Sequence, residues 1–312
     1  MDELLNAQEV ADILKVARNT VYEIIKRGEL KAAKVGKQVR VLREDVDAYL
    51  AGLGSGGAKR LAAPLEAHEE PALEDVKRGQ EFVICGQDLS LDILVNHMYR
   101  RMSALPIYRY HLGSYNGIYA LYQGRADAAS VHLWDAETGV YNVPYVGKMM
   151  PGMTPLMIRI GKRVSGFYVR LGNPKGITSW EDLKKKGIAL ANRERGSGTR
   201  VLLDEKLKQM GIDSGQLQGY RNEFGTHLAV ATQVARGEAD FCIGSEAGSR
   251  TIKGIEFMPL QTECYDLVIR LEDQGKKPYK TMLDIIASED FKLDLESVGG
   301  YNTDETGRII RL

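Results

Sequence analysis

Ile188-Ala189-Leu190 leads into Asn192-Arg193-Glu194-Arg195-Gly196-Ser197-Gly198-Thr199-Arg200, and Val201 to Met210 follows. The apolar triplet reads as a strand, two glycines let the backbone approach a guest closely, and the last segment reads as a helix. Amide N–H groups at a helix start have no intrahelical acceptor and attract anions; Ser197 and Thr199 add hydroxyl donors. Such a junction predicts an α/β fold with its ligand site at the strand's carboxyl end. A bare tight connection is the competing reading. A P-loop needs a lysine before its terminal Ser or Thr, and a dinucleotide fingerprint needs a third glycine where Val201 stands; the stretch has neither.

The same pattern recurs. Phe82-Val83-Ile84-Cys85 ends in Gly86-Gln87-Asp88, with a helix from Ser90. Ile107 to His111 precedes Gly113-Ser114-Tyr115-Asn116-Gly117, and Ala128 to Val131 precedes His132-Leu133-Trp134-Asp135. A second set starts at Phe167 to Arg170, has a helix from Trp180 to Lys185 opened by Thr178 or Ser179, and ends with Thr226-His227, the helix Leu228 to Arg236 and the strand Ala239 to Ile243. Two sets predict two lobes with a ligand between them. The candidate ligand residues are Ser90, Ser114, His132, Arg193, Ser197, Gly198, Thr199, Arg200 and Thr226. For Ser90, Ser114 and Thr226, helix capping competes with ligand contact. Arg193, Arg195 and Arg200 are expected to offset ligand charge, with at least one held in an ion pair. His132 and His227 stand alone, so no metal-cation site and no cofactor is expected. Without a visible nucleophile–base pair the chain is expected not to be an enzyme; an enzyme acting on a small anionic substrate in the cleft is the rival of another class.

The first fifty residues differ in period and charge. Asn6 is a plausible N-cap with Glu9 three residues on, and Val10, Ile13 and Leu14 share one helical face. A second helix runs from near Arg18 to Arg27 and stops at Gly28, so the pair reads as a helix-turn-helix. Val35-Gly36-Lys37-Gln38-Val39 reads as a hairpin, a wing, and Glu44 to Leu50 as a closing helix. From Lys15 to Arg43 there are nine bases against two acids, Glu23 and Glu29. Phosphates attract such a patch, and counterion release drives the binding. The residues expected on double-stranded DNA are Arg18, Asn19, Thr20 and Tyr22 at base edges in the major groove, Lys26 of the basic patch, and Lys37 and Arg40 on the wing.

Over the whole 312 residues, 42 bases balance 42 acids, which excludes a uniformly basic nucleic-acid coat but not this local patch. At 44% hydrophobic the bulk is globular. Gly52-Leu53-Gly54-Ser55-Gly56-Gly57 breaks the composition, so the expected division is 1–52, a linker over 53–79, and 80–312. No apolar run is long enough to span a membrane and no signal-peptide core opens the chain, so a cytoplasmic protein is expected. Cys85, Cys242 and Cys264 are too few and too scattered for a disulfide framework.

Leu5-Asn6-Ala7-Gln8-Glu9-Val10-Ala11, Val21 to Leu30 and Val39-Arg40-Val41 make residues 4–50 similar to the excisionase-like, MerR-related winged helix-turn-helix domains. That resemblance implies DNA binding as a homodimer on paired half-sites. Gly113 to Gly117, His132 to Asp135 with Tyr141-Asn142, Gly172-Asn173-Pro174-Lys175-Gly176, Asn192 to Arg200 and Thr226 to Ala231 make residues 82–270 resemble the substrate-binding-like domain related to periplasmic molybdate-binding proteins. It implies a type II periplasmic-binding-protein fold closing on a small oxyanion, molybdate or tungstate. The arginines near Ser197 depart from the neutral donors usual in such sites. They leave room for a more highly charged organic anion, such as a phosphorylated metabolite or a molybdenum-cofactor intermediate. The chain is thus expected to be a one-component transcription regulator, in which lobe closure changes the spacing of two DNA-binding units.

Overall fold

Asn6 closes a strand and opens a helix. Its side-chain Oδ1 accepts from Gln8 N at 2.8 Å and Glu9 N at 3.1 Å, and Glu9 Oε2 accepts from Asn6 N at 2.7 Å. The expected capping box is therefore made, and it starts α1 (Ala7–Leu14). The strand before it, β1 (Leu4–Asn6), was not expected. It pairs antiparallel with β3 (Gln38–Leu42), which also pairs with β2 (Ala33–Val35), so the wing hairpin belongs to a three-stranded sheet. Helix α2 (Arg43–Gly54) follows and takes in Leu53 and Gly54, beyond the expected end of the domain. Leu5, Val10, Ala11, Val21, Leu30, Val41 and Val46 form one small core.

The computed structural model describes residues 4–14, 21, 25, 30, 32–35, 38–54 and 81–312. The chain divides into two compact units, Met1–Glu66 and Ala67–Leu312. Apart from Val21 and Ile25, the expected second helix lies outside the described residues, as does the expected linker from residue 55 onward.

In the second unit, β4 (Phe82–Cys85), β5 (Ile107–Tyr110) and β6 (Ala128–Val131) are parallel. Helices α3 (Leu89–Arg101), α4 (Ser114–Tyr122) and α5 (Val143–Met149) follow these strands. Strand β4 is buried on both faces, as a covered parallel strand must be. Ile84 meets Leu91, Leu94 and Met98 on one side, while Val83 and Cys85 meet Ile118, Leu121 and Val146 on the other.

The strand expected at Phe167 to Arg170 is the last quarter of β7, which runs 16 residues from Pro155 to Arg170. It carries the chain into a second lobe. There β8 (Asn192–Arg193), α6 (Gly198–Gln209), β9 (Glu223–Phe224), α7 (His227–Arg236), β10 (Phe241–Ser245) and α8 (Glu246–Ser249) form in turn. A second 16-residue strand, β11 (Ile255–Arg270), pairs antiparallel with β7 and returns the chain to the first lobe. Helices α9 (Lys277–Ile286) and α10 (Glu289–Val298) and strands β12 (Tyr301–Asn302) and β13 (Ile309–Arg311) complete that lobe. The main sheet runs β10-β7-β11-β6-β4-β5, with β12 and β13 also on β7. The two α/β sets are therefore not consecutive lobes: the second is inserted into the first through two long strands. Register shifts in β11 between Pro259 and Gln261 and between Tyr265 and Asp266 loosen the ladder where it crosses between lobes.

Candidate functional site

Four helix starts surround one cavity of about 240 Å³ in the second unit. Leu89 opens α3, Ser114 opens α4, Gly198 and Thr199 open α6, and His227 opens α7; all five residues line it. The positive ends of four helices thus point at a common space. The first two belong to one lobe and the last two to the other. The lobes touch across the cavity: Tyr115 N donates to Gly196 O at 2.9 Å, Gln87 Nε2 to Gly225 O at 3.2 Å, and Arg193 Nη2 to Gln87 Oε1 at 2.9 Å.

Several donors remain. Among the described residues, the amide N–H groups of Ser114, Gly198 and Thr199 and the Thr199 hydroxyl have no protein acceptor. Arg193 is 2% exposed, and its Nη1 is buried without a partner; so is His227 Nδ1. An orphaned buried donor costs about 1–3 kcal/mol, so the free N–H groups and Arg193 Nη1 are where a guest's acceptors could be met, while the neutral His227 ring donates or accepts through Nδ1 according to its tautomer. Burial, then the charges of Arg193, Arg163 and His132, hold His227 well below the ordinary histidine range, so its ring is neutral near pH 7.

The charges around the cavity are already paired. Arg163, fully within the protein, meets Glu263 Oε1 at 2.5 Å through Nε and Asp88 through Nη1. Burial alone would lower its pKa; Glu263 and Asp88 outweigh that and hold it well above the usual value. Glu263 Oε2 lies 3.1 Å from His132 Nδ1. Burial would raise the Glu263 carboxyl, but Arg163 and His132 bring it down to about 2. Asp88 caps α3 and also accepts from Tyr301 OH at 2.7 Å. Arg193 is held side-on by Glu194, with both contacts at 2.8 Å. Two guanidiniums therefore face three carboxylates, and no surplus arginine charge is available to a guest.

This corrects several expectations. Arg200 is buried but points away from the cavity: Asp204 and Glu223 take its guanidinium, which lies 4.3 Å from the Tyr220 ring centre. The Arg195 side chain is 83% exposed. Ser90 lies under the cavity wall and hydrogen-bonds Asp88. Thr226 caps α7, accepting from Ala229 N at 3.1 Å, and does not line the cavity. Ser114, His132, Arg193, Ser197, Gly198 and Thr199 do line it. Ser114 Oγ accepts from His132 N at 3.2 Å, and Ser197 Oγ donates to Glu194 O at 3.0 Å while capping α6, so both hydroxyls also shape the walls.

Sequence reasoning missed Asp88, Arg163, Tyr265 and Tyr301 on the cavity wall. A faint signal existed: Arg159 and Arg163 interrupt an apolar strand, and Glu263 and Asp266 interrupt another. Paired in register, they face each other as Arg163↔Glu263 and Arg159↔Asp266. Among the described residues, no group of three or more His, Cys, Asp and Glu could hold a metal ion, and no helix is long and apolar enough to cross a membrane.

Of the residues expected on DNA, Arg40 is on β3, half-buried, opposite Asn6 on one side and Ala33 on the other. Arg18, Asn19, Thr20, Tyr22, Lys26 and Lys37 lie outside the described residues.

Comparison with known proteins adds two family matches: a PBP superfamily domain over residues 95–287 and a helix-turn-helix domain over residues 4–54. The uncharacterized protein YvgK of Bacillus subtilis (strain 168) is 39% identical over 308 residues, 97% of this chain and 96% of that one. Among solved structures, a putative phosphate ABC transporter substrate-binding protein with bound phosphate, from Clostridium perfringens, superposes with a TM-score of 0.52 at 16% identity. The match covers 71% of this chain and 99% of that one. EhuB in complex with hydroxyectoine gives a TM-score of 0.52 at 14% identity over 74% of this chain and 92% of its own. At these identities the likeness establishes the two-lobed fold.

Proposed function

Because the chain belongs to the PBP superfamily-domain family and carries a helix-turn-helix domain ahead of that domain, we propose that it is a cytoplasmic transcription regulator that grips double-stranded DNA with the first domain and a small oxyanion, molybdate or tungstate, in the cleft of the second. The observation that carries the ligand reading is the set of unpartnered donors on one cavity: three backbone N–H groups, the Thr199 hydroxyl and Arg193 Nη1. With the arginine charges balanced by Asp88, Glu263 and Glu194, a guest's charge is met by helix starts, neutral donors and the one free guanidinium nitrogen, Arg193 Nη1. That is unfavourable for a highly phosphorylated metabolite and suited to a compact dianion that spreads its charge over four oxygens.

One observation favours a second ligand. A space of about 240 Å³ is the share of roughly eight waters in the liquid. It leaves room for a small organic anion such as a molybdenum-cofactor intermediate. A binder rather than a catalyst is supported by the pairing of a helix-turn-helix domain with a PBP superfamily domain.

Molybdate and tungstate are expected to raise the melting temperature, and sulfate and phosphate to raise it less. At a hundredfold excess over Kd the gain is about 2.7 kcal/mol, or roughly 5–10 °C for a domain of this size. A flat thermal-shift response to both metal oxyanions removes the oxyanion assignment. Native mass spectrometry of protein from its own cells then shows whether an organic anion is carried instead.

The regulator is proposed to act as a homodimer. Ligand binding shifts DNA affinity only if the closed form and the DNA-bound form are linked by a differential affinity. In the full-length protein, Arg18→Ala with Lys37→Ala is expected to weaken duplex binding at every sequence and to reduce the slope of log K against log salt by about 2. Gel shifts at two salt concentrations check this, and unchanged affinity at both overturns the DNA assignment.

A further inference from the structure

Helix α6 carries two features on one face. Thr199, in its first turn, lines the cavity; Lys206, seven residues on and about 10 Å along the axis, does not. The Lys206 Nζ sits 3.9 Å from the Trp134 ring centre and 5.9 Å from that of Trp180. Trp134 follows β6 in the first lobe and is 8% exposed; Trp180 belongs to the second lobe and packs edge-on against Phe167. Lys206 has no carboxylate partner among the described residues, and burial lowers its pKa. Its neighbour Glu205 receives the Tyr145 hydroxyl from α5 of the first lobe at 3.4 Å. The only two tryptophans of the chain thus flank one ammonium group, one from each lobe.

We propose that Lys206 is a positioning residue that latches the lobes: its ammonium, held between Trp134 and Trp180, populates the closed arrangement before ligand arrives and so raises ligand affinity without touching the ligand. The cation's attraction for the indole face is lost when the lobes part, because Trp134 leaves with the first lobe. The same rigid helix presents Gly198 and Thr199 to the guest, so seating the latch also seats the donors. The affinity consequence rests on the oxyanion reading; the latch itself does not.

The test uses full-length protein with Trp180→Phe, which makes Trp134 the sole indole emitter while keeping an aromatic ring on the farther, 5.9 Å side of Lys206. Lys206→Met keeps most of the length of the side chain and removes its charge; Lys206→Arg keeps a cation. Without ligand, acrylamide quenching of Trp134 is expected to rise about twofold in Lys206→Met and to stay at the parent level in Lys206→Arg. Molybdate, titrated calorimetrically, is expected to bind Lys206→Met about fivefold more weakly, in line with one partly desolvated cation–π contact, and Lys206→Arg normally. Parent-level quenching in Lys206→Met, or an arginine variant that behaves like the methionine one, overturns the latch. If no version binds molybdate while the quenching changes as described, the latch stands and the oxyanion assignment falls.

Discussion

Gly113→Ala is expected to leave the protein folded and to weaken ligand binding at least about fivefold. Gly113 has φ −65° and ψ 162°, which alanine adopts without strain, so the substitution does not disturb the start of α4. The obstacle lies across the cavity. A Cβ at this position would stand 2.6 Å from Ser197 Cα and 2.7 Å from Gly196 O and Ser197 N, all backbone of the other lobe. Backbone held by the α6 cap has nowhere to retreat, so the lobes must stay apart, and the donors of Ser114 and Thr199 cease to converge. Overpacking of this kind costs about 1–3 kcal/mol, a loss of about five- to 150-fold. Titration calorimetry reads the affinity, and a melting curve without ligand checks that the lobes are intact. Wild-type affinity in Gly113→Ala would show that the ligand is held with the lobes apart. Gly198→Ala is a milder companion: its Cβ would meet the His132 ring at 2.6–2.8 Å, and a side chain can turn where backbone cannot.

Arg163→Met is expected to be the most destabilising single change in the second unit. The Arg163 side chain is 4% exposed, Asp88 7% and Glu263 3%, and the arginine is the shared cation of both acids. Removing it leaves two buried carboxylates facing each other, a loss of about 3–5 kcal/mol that urea unfolding of the full-length chain measures. The pH dependence carries a matching signature. The folded-state Glu263 carboxyl titrates at about 2, below its ordinary 4.5. Its contribution is therefore complete above pH 4.5 and is lost as pH falls through about 2. Wild type and Arg163→Met should converge in stability over that acid range. Curves that remain parallel from neutral pH down to about 2 would show that the pair does not contribute in this way.

Much of the local architecture was legible because its causes lie three or four residues apart. The Asn6–Glu9 capping box, the cap of Ser197 on α6 and that of Thr226 on α7 are each made within one helical turn. Ser179 with Asp182 is another such box, and it opens a short 3-10 turn, Trp180–Lys184, where a helix was expected. The glycine-bearing junctions at Gly113 and Gly198 lie where the lobes approach each other closely over the cavity. By contrast, Ser90 and Thr226 share the strand-to-helix signature of Ser114 yet contribute no cavity surface, since an N-cap and a ligand donor look alike until the lobes are assembled.

Taken alone, the sequence determined that a basic winged helix-turn-helix pattern precedes an α/β pair of lobes, and that glycine- and hydroxyl-bearing helix starts follow the strands of those lobes. These features follow from periodicity, caps and local charge, which act over short stretches of chain. Only the tertiary structure decided how the charges are spent. Arg163 finds Asp88 and Glu263 at separations of 75 and 100 residues, and Arg200 turns to Glu223 rather than to a guest. Long-range ion pairs are chosen by which strands end up side by side, and β7 meets β11 only after a whole lobe has been inserted between them.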